Sequence, residues 1–282
     1  MIGLFDSGSG GLTILESCRQ ALPEEDFVYL GDHANAPYGH RSNQEILQFT
    51  KAGVEALFKQ GCSLVILACN TAAAVALRSL QQNWLHDAWP GRNILGVLVP
   101  MVEEVSGVPW HEENPTDKSA GDTRNIALFA TSKTVDSGAY KEELAKRAPQ
   151  LILWQKACPG LVEAIETGAS QEHISGLVNG YMTALLSDMM GVLPDAIVLG
   201  CTHFPLVRSC FEDAIGDDTP IYCQPSIVAK SLEKYVATHF IYKEREKGEQ
   251  GSVELFTTGD PKTLQTLQNY LPKNYAAFRK LP

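Results

Sequence analysis

Short apolar runs recur along the chain. Each ends in small or polar residues and is followed by a stretch whose apolar positions lie three and four apart. Such runs fall at residues 2–5, 27–30, 64–68, 93–99, 125–130, 151–154, 197–200, 220–223 and 253–257. A run of this length without polar alternation reads as a strand buried on both faces, as in a parallel sheet under helices. The intervening stretches read as helices. In residues 42–59, Ile46, Phe49, Val54, Leu57 and Phe58 form an apolar stripe, Ser42 stands as N-cap with Glu45 at the capping-box position, and Gly61 closes the helix. A helix opens at Leu12, and others are expected at 72–80, 136–147, 161–167, 173–190, 205–214, 226–239 and 261–271. Strand and helix alternate throughout, so the expected class is α/β with mostly parallel sheets.

Two of the runs are alike beyond their apolarity. Val65-Ile66-Leu67-Ala68-Cys69-Asn70-Thr71 is echoed 132 residues later by Ile197-Val198-Leu199-Gly200-Cys201-Thr202-His203. The opening Ile2-Gly3-Leu4-Phe5-Asp6-Ser7 is echoed 124 residues later, from Ile126 to Thr131. Two similar offsets point to an internal duplication of about half the chain. Ligands of parallel sheets sit beyond the carboxyl ends of the strands, and both cysteines fall there.

Two loops carry further polar groups. Asp6-Ser7-Gly8-Ser9-Gly10-Gly11 joins a strand to a helix, and its N–H groups can approach and cradle an anion. It is neither G-x-G-x-x-G nor a Walker loop, which argues against a nucleotide. The loop from Gly31 to Gly39 is long for a strand-to-helix connection and suits ligand binding. Residues 111–124 and 243–250 read as surface segments.

Composition narrows the class. Of 282 residues, 44% are apolar and 20% charged, which suits a globular core, and the formal charge of -10 argues against nucleic acid as a partner. No apolar stretch is long enough for a membrane span, and the N-terminus lacks the features of a secretory signal. The seven cysteines are odd in number and scattered, so they read as reduced cytoplasmic thiols, most of them packed as small hydrophobes.

Several chemistries compete for Cys69 and Cys201. A metal site would draw on Cys69, Cys201 and His203, but neither motif has C-x-x-C spacing. A Cys–His hydrolase would use one thiol with His203 as base and leave the other idle. Proton transfer at carbon uses both: one thiolate removes Cα–H, and the other thiol returns a proton from the opposite side. An ordinary cysteine has a pKa of about 8.5, so only about one in thirty is thiolate at pH 7. Helix N-termini and a nearby histidine can lower that value, and both cysteines precede expected helices. Ser7, Asn70, Thr71 and Thr202 supply hydrogen bonds for developing charge, and Asp6, Glu166 or His203 can set which thiol is ionised.

At this point four motifs carry a resemblance. Asp6-Ser7-Gly8-x-Gly10-Gly11, Pro37-Tyr38-Gly39, Ala68-Cys69-Asn70-Thr71-Ala72 and Gly200-Cys201-Thr202-His203-x-Pro205-Leu206 resemble, in order and spacing, those of bacterial glutamate racemases within the cofactor-independent aspartate/glutamate racemase superfamily. The resemblance implies two similar three-layer α/β domains with the site in the cleft between them, the second inserted in the first: 1–98 plus 209–282, and 99–208. It implies Cys69 and Cys201 as acid/base residues, with Asp6, Glu166 and His203 as auxiliary proton-handling groups; Glu163 lies near enough to compete with Glu166. It implies substrate contacts from Asp6, Ser7, Tyr38, Gly39, Asn70, Thr71, Thr202 and His203. No cofactor and no metal are expected. The expected partners are L- and D-glutamate and a second copy of the chain, and the expected role is to supply D-glutamate for peptidoglycan in the cytoplasm. A non-catalytic amino-acid binder and an aspartate racemase are the rival readings. Ala73 stands where the family often has serine, Phe204 where it often has tyrosine, and the 111–124 loop looks longer than usual.

Overall fold

A computed structural model describes residues 1–109, 112, 123–216, 218–239, 250–262, 264 and 277–281. Most of the loop expected at 111–124, the turn at 243–250 and the helix at 261–271 lie outside the described residues. The chain divides into two compact units, Met1–Val97 with Pro225–Pro282, and Leu98–Gln224.

The first unit is built on β1 (Ile2–Asp6), β2 (Phe27–Gly31), β3 (Leu64–Leu67), β4 (Asn93–Gly96), β9 (Val253–Thr257) and β10 (Arg279–Lys280). Their order is β10-β9-β2-β1-β3-β4, and every pairing is parallel. All five residues of β1 are buried, as its unbroken apolar run requires of a central strand. Helix α1 (Leu12–Ala21) contacts β2, α2 (Asn43–Lys59) packs on β1, β2 and β3, and α3 (Asn70–Leu80) packs on β3, β4 and α2. The capping box read at Ser42 and Glu45 is present: the Glu45 N–H donates to Ser42 Oγ and the Ser42 N–H donates to Glu45 Oε2. Helix α3 continues through a π turn at Gln81–Leu85 into a last helical turn at His86–Ala88.

The second unit repeats the plan. Strands β5 (Arg124–Ala130), β6 (Leu151–Ala157), β7 (Ala196–Gly200) and β8 (Ile221–Cys223) run in the order β6-β5-β7-β8, again all parallel. In both units the first strand lies between the second and third, and the fourth follows the third. Register repeats too: Phe5 pairs with Leu67, and Phe129 with Leu199. Cys69 and Cys201 each lie two residues beyond those leucines, at equivalent places past the sheet. The core joins Phe129, Ile197 and Leu199 to Phe204, Phe211 and the apolar face of α8 (Gln171–Asp188), with Phe129 edge-on to Phe211 at 5.2 Å.

Some expectations are corrected. The strand expected at 93–99 stops at Gly96, and Leu98–Ser106 is a helix, α4. Pro100 does not end it, because a first-turn residue has no intrahelical N–H bond to lose. The helix expected at 136–147 is two, α5 (Ser132–Ser137) and α6 (Ala139–Arg147), broken at Gly138 with φ +67°. The boundary expected near residue 208 falls instead after Gln224, since β8 pairs with β7 and α9 (Arg208–Ile215) packs on α8. After Cys201 comes first a 3₁₀ turn, Phe204–Val207, and only then α9. The β10 segment was not foreseen, being two residues long and charged.

Leu67 is fully buried one residue before the Ala68-Cys69 turn. Leu67→Ala should cost about 2–5 kcal/mol of stability, read from denaturant midpoints at unchanged slope.

Candidate active site

In the first unit the turn after β1 is packed against the turn after β3. Asp6 is buried, and its carboxylate accepts the Gly8 N–H at 2.8 Å. Gly11 permits this approach: a Cβ there would lie 2.9 Å from both Asp6 Cβ and Asp6 Oδ2, and 3.0 Å from Ala68 Cβ. Tyr29 donates its hydroxyl to the Gly8 carbonyl at 2.8 Å, and the Asp32 N–H donates to the Asp6 carbonyl at 2.8 Å. Ser7 is thus held between two fixed neighbours, and Cys69 Sγ lies 3.3 Å from its hydroxyl.

Cys69 is itself the N-cap of α3. Its backbone is extended, and its sulfur accepts the Ala72 N–H at 3.5 Å. A helix N-terminus concentrates unpaired N–H groups and partial positive charge, which favours an anion, here a thiolate. Asn70 and Thr71, both buried, occupy the first turn of the same helix. Cys18 and Cys62, by contrast, have thiols that burial pushes up to about 12, as suits inert core residues.

The loop after β2 is organised by Asp32, a residue that sequence reasoning passed over. Its buried carboxylate accepts Asn35 Nδ2 at 3.0 Å on each oxygen, the Tyr38 hydroxyl at 2.7 Å and the Thr258 hydroxyl at 2.6 Å. The available signal was Asp32 with Asn35 three residues on, a pair that closes local turns. Tyr38 is buried with its hydroxyl committed to Asp32; burial, then the Asp32 charge, keeps that phenol protonated well above its ordinary range. Gly39 faces open space.

In the second unit Cys201, Thr202 and His203 are all buried past the end of β7. His203 Nδ1 lies 3.9 Å from Cys201 Sγ, and Nε2 lies 2.9 Å from Glu166 Oε1 at the end of α7 (Leu161–Glu166). Of the two candidate glutamates, Glu166 is the one paired with His203. Burial works to lower the His203 pKa, but its hydrogen bonds to Cys201 and Glu166, and their charges, raise it well above the ordinary imidazole value. An imidazolium can donate to sulfur on one side and carboxylate on the other. Cys158 follows β6, and burial, then the Cys201 charge, raises its thiol. Nearby, buried Gln224 donates to the Tyr140 hydroxyl at 3.5 Å.

The two thiols therefore sit at equivalent strand ends with different neighbours, a helix N-terminus for Cys69 and a His–Glu pair for Cys201. Among the described residues no group of three or more His, Cys, Asp or Glu is placed to hold a metal ion, and no helix is long and apolar enough to cross a membrane.

No protein-family model matches the chain. Curated relatives do: it is 41% identical over 265 residues to the glutamate racemase of Phenylobacterium zucineum and 44% identical over 261 residues to that of Paracoccus denitrificans, in each case covering 92% of both chains. The chain belongs to the glutamate racemase family. The family's members are isomerases, and the resemblance carried by the four motifs holds. The fold also matches a glutamate racemase isoform from Bacillus anthracis, with a TM-score of 0.83 and 26% identity over 100% of this chain and 97% of that one. It matches the Thermus thermophilus glutamate racemase, solved with beta-chloro-D-alanine, with a TM-score of 0.79 and 27% identity over 99% of this chain and 95% of that one.

The raised His203 pKa has a sign that can be tested. A histidine held above its unfolded value of about 6.5 contributes fully below that pH, and the contribution fades as pH rises through the folded value. Glu166→Gln should therefore destabilise the protein most between about pH 5 and 6.5, with the gap narrowing above that range. Denaturant midpoints against pH measure this; a gap that widens with pH contradicts the pairing.

Proposed function

We propose that this protein is a glutamate racemase that interconverts L- and D-glutamate with Cys69 and Cys201 as its two bases. One cysteine, as thiolate, removes the Cα proton. The electron pair left on Cα delocalises into the carboxylate. The other cysteine, as thiol, gives its proton to the opposite face and is left as thiolate. The product is the mirror image, and the roles exchange in the reverse direction.

The neighbours take distinct parts. Ser7, Asn70, Thr71 and Thr202, with the N–H groups of the Ser7–Gly11 turn, donate hydrogen bonds to the substrate carboxylates, and Asp6 receives its ammonium group. Contact from Tyr38 and Gly39 comes through their backbone, since the Tyr38 hydroxyl is already engaged by Asp32. The helix N-terminus at Cys69 and the Glu166–His203 pair at Cys201 stabilise whichever sulfur is charged. Asp6, His203 and Glu166 thereby act as auxiliary proton-handling groups. The chemistry needs no cofactor. The D-glutamate serves peptidoglycan synthesis in the cytoplasm, and the active form is a homodimer.

The observation that carries this reading is the pair of buried cysteines at equivalent strand ends, each beside a group able to settle its charge. L-Glutamate incubated with the pure protein in heavy water should lose optical rotation and gain deuterium at Cα; retention of both the rotation and the Cα protium rejects the proposal. Faster turnover of aspartate would reassign the substrate.

Each of Cys69→Ser and Cys201→Ser should lower kcat by at least about 10²-fold. Each should still eliminate a leaving group from a halogenated glutamate of one hand only, the two variants differing in hand. If both process the same enantiomer equally, one thiol per face is wrong.

A further inference from the structure

The turn that carries Asp6, Ser7 and Gly8 is fastened at its far end by a residue the mechanism above does not use. Ser9 is buried, and its hydroxyl lies 2.8 Å from His33 Nε2. On the other side of the ring, Nδ1 lies 3.1 Å from the Gly31 carbonyl and 2.9 Å from Thr257 Oγ1. Thr257 is fully buried, and its Oγ1 also accepts the Gly259 N–H at 3.0 Å.

These partners decide the tautomer. The Gly31 carbonyl can only accept, so the proton sits on Nδ1, and Nε2 offers its lone pair to the Ser9 hydroxyl. The ring is fixed in place from several sides. Phe278 meets it edge-on at 5.5 Å and 84°. A Cβ on Gly31 would lie 2.3 Å from His33 Cε1, so the imidazole lies on bare backbone. A Cβ on Gly259 would lie 3.2 Å from His33 Cβ. An imidazole so placed has little rotational freedom, and the hydroxyl bonded to it shares that restriction.

We propose that His33 is a positioning residue for substrate binding: through Ser9 it fixes the conformation of the Asp6–Gly11 turn and so aims the turn's N–H groups and the Ser7 hydroxyl at the substrate. The turn is then pinned at successive points, by Asp32 N–H on Asp6, by Tyr29 on Gly8 and by His33 on Ser9. His33 does not touch the reacting carbon. Its effect is on groups that hold substrate and transition state alike, so its loss raises KM more than it lowers kcat.

This inference rests on the racemase reading, and one experiment separates the two. Glutamate kinetics are measured for the wild type, Ser9→Ala, His33→Asn and the double variant, with thermal unfolding of each. Asparagine keeps a donor near the place of Nδ1 and loses the acceptor at Nε2. Losing one neutral hydrogen bond is worth about tenfold in KM. We expect each single variant to raise KM about tenfold, with kcat within about threefold of wild type, and the double variant to be no worse than either alone. His33→Gln, whose amide oxygen reaches toward the place of Nε2, should restore KM to near the wild-type value. Additive effects, an unchanged KM in Ser9→Ala, a loss confined to kcat, or no rescue by glutamine each overturn the proposal while racemisation by the wild type stands. Should His33→Asn fail to fold, the Ser9→Ala result decides alone. A wild type that does not racemise glutamate overturns both readings.

Discussion

Under the proposed mechanism a buried thiol that trades protons with carbon needs a neighbour to settle its charge, and each unit offers a different device at the same point of its sheet. In the first, Cys69 closes the end of α3 and takes an amide N–H onto its sulfur. In the second, a 3₁₀ turn follows, no helix begins at Cys201, and a histidine backed by a carboxylate stands in its place. Coulomb interactions are strong only where water is excluded, so the burial of both cysteines is part of the device. At Cys18, Cys62 and Cys158 burial is the largest influence, and it raises the thiol.

The sheets exist to hold those positions. Parallel strands buried on both faces end in register, so the residue two places past Leu67 and the one two places past Leu199 are placed by backbone pairing rather than by loop packing. Sites built on strand ends are held more tightly than sites built on free loops. The loops that do contribute are themselves tied down: the Asp6–Gly11 turn by Tyr29, Asp32 and His33, and the Asp32–Gly39 loop by the Asp32 carboxylate.

Much of this was legible in the chain. The apolar runs mark the strands because burial on both faces leaves no polar alternation, and the repeated offsets pointed to a duplication that the shared four-strand order of the two sheets matches. Ser42 and Glu45 announced a helix start that is present in full. What stayed hidden was mostly long-range. Nothing local distinguishes Glu166 from Glu163; the choice is made by which turn of α7 faces His203. That the hydroxyl of Tyr38 is committed to Asp32 could not be read from the Pro37-Tyr38-Gly39 motif. The boundary near 208 was misplaced because a strand as short as β8 carries little periodicity, and its pairing with β7 is a contact between distant segments. The helix expected from residue 205 begins at Arg208, because Pro205 is accommodated in a tighter turn first.

The proposed use of two bases on one carbon would leave an isotopic signature. Protiated L-glutamate is run in heavy water and stopped early, and both enantiomers are isolated and their Cα hydrogen analysed. If one sulfur removes the proton and the other supplies its replacement, newly formed D-glutamate carries deuterium while recovered L-glutamate still carries protium. Protium carried over into the D product, or deuterium appearing equally in the recovered L substrate, would mean that a single group serves both faces and would contradict the roles given to Cys69 and Cys201.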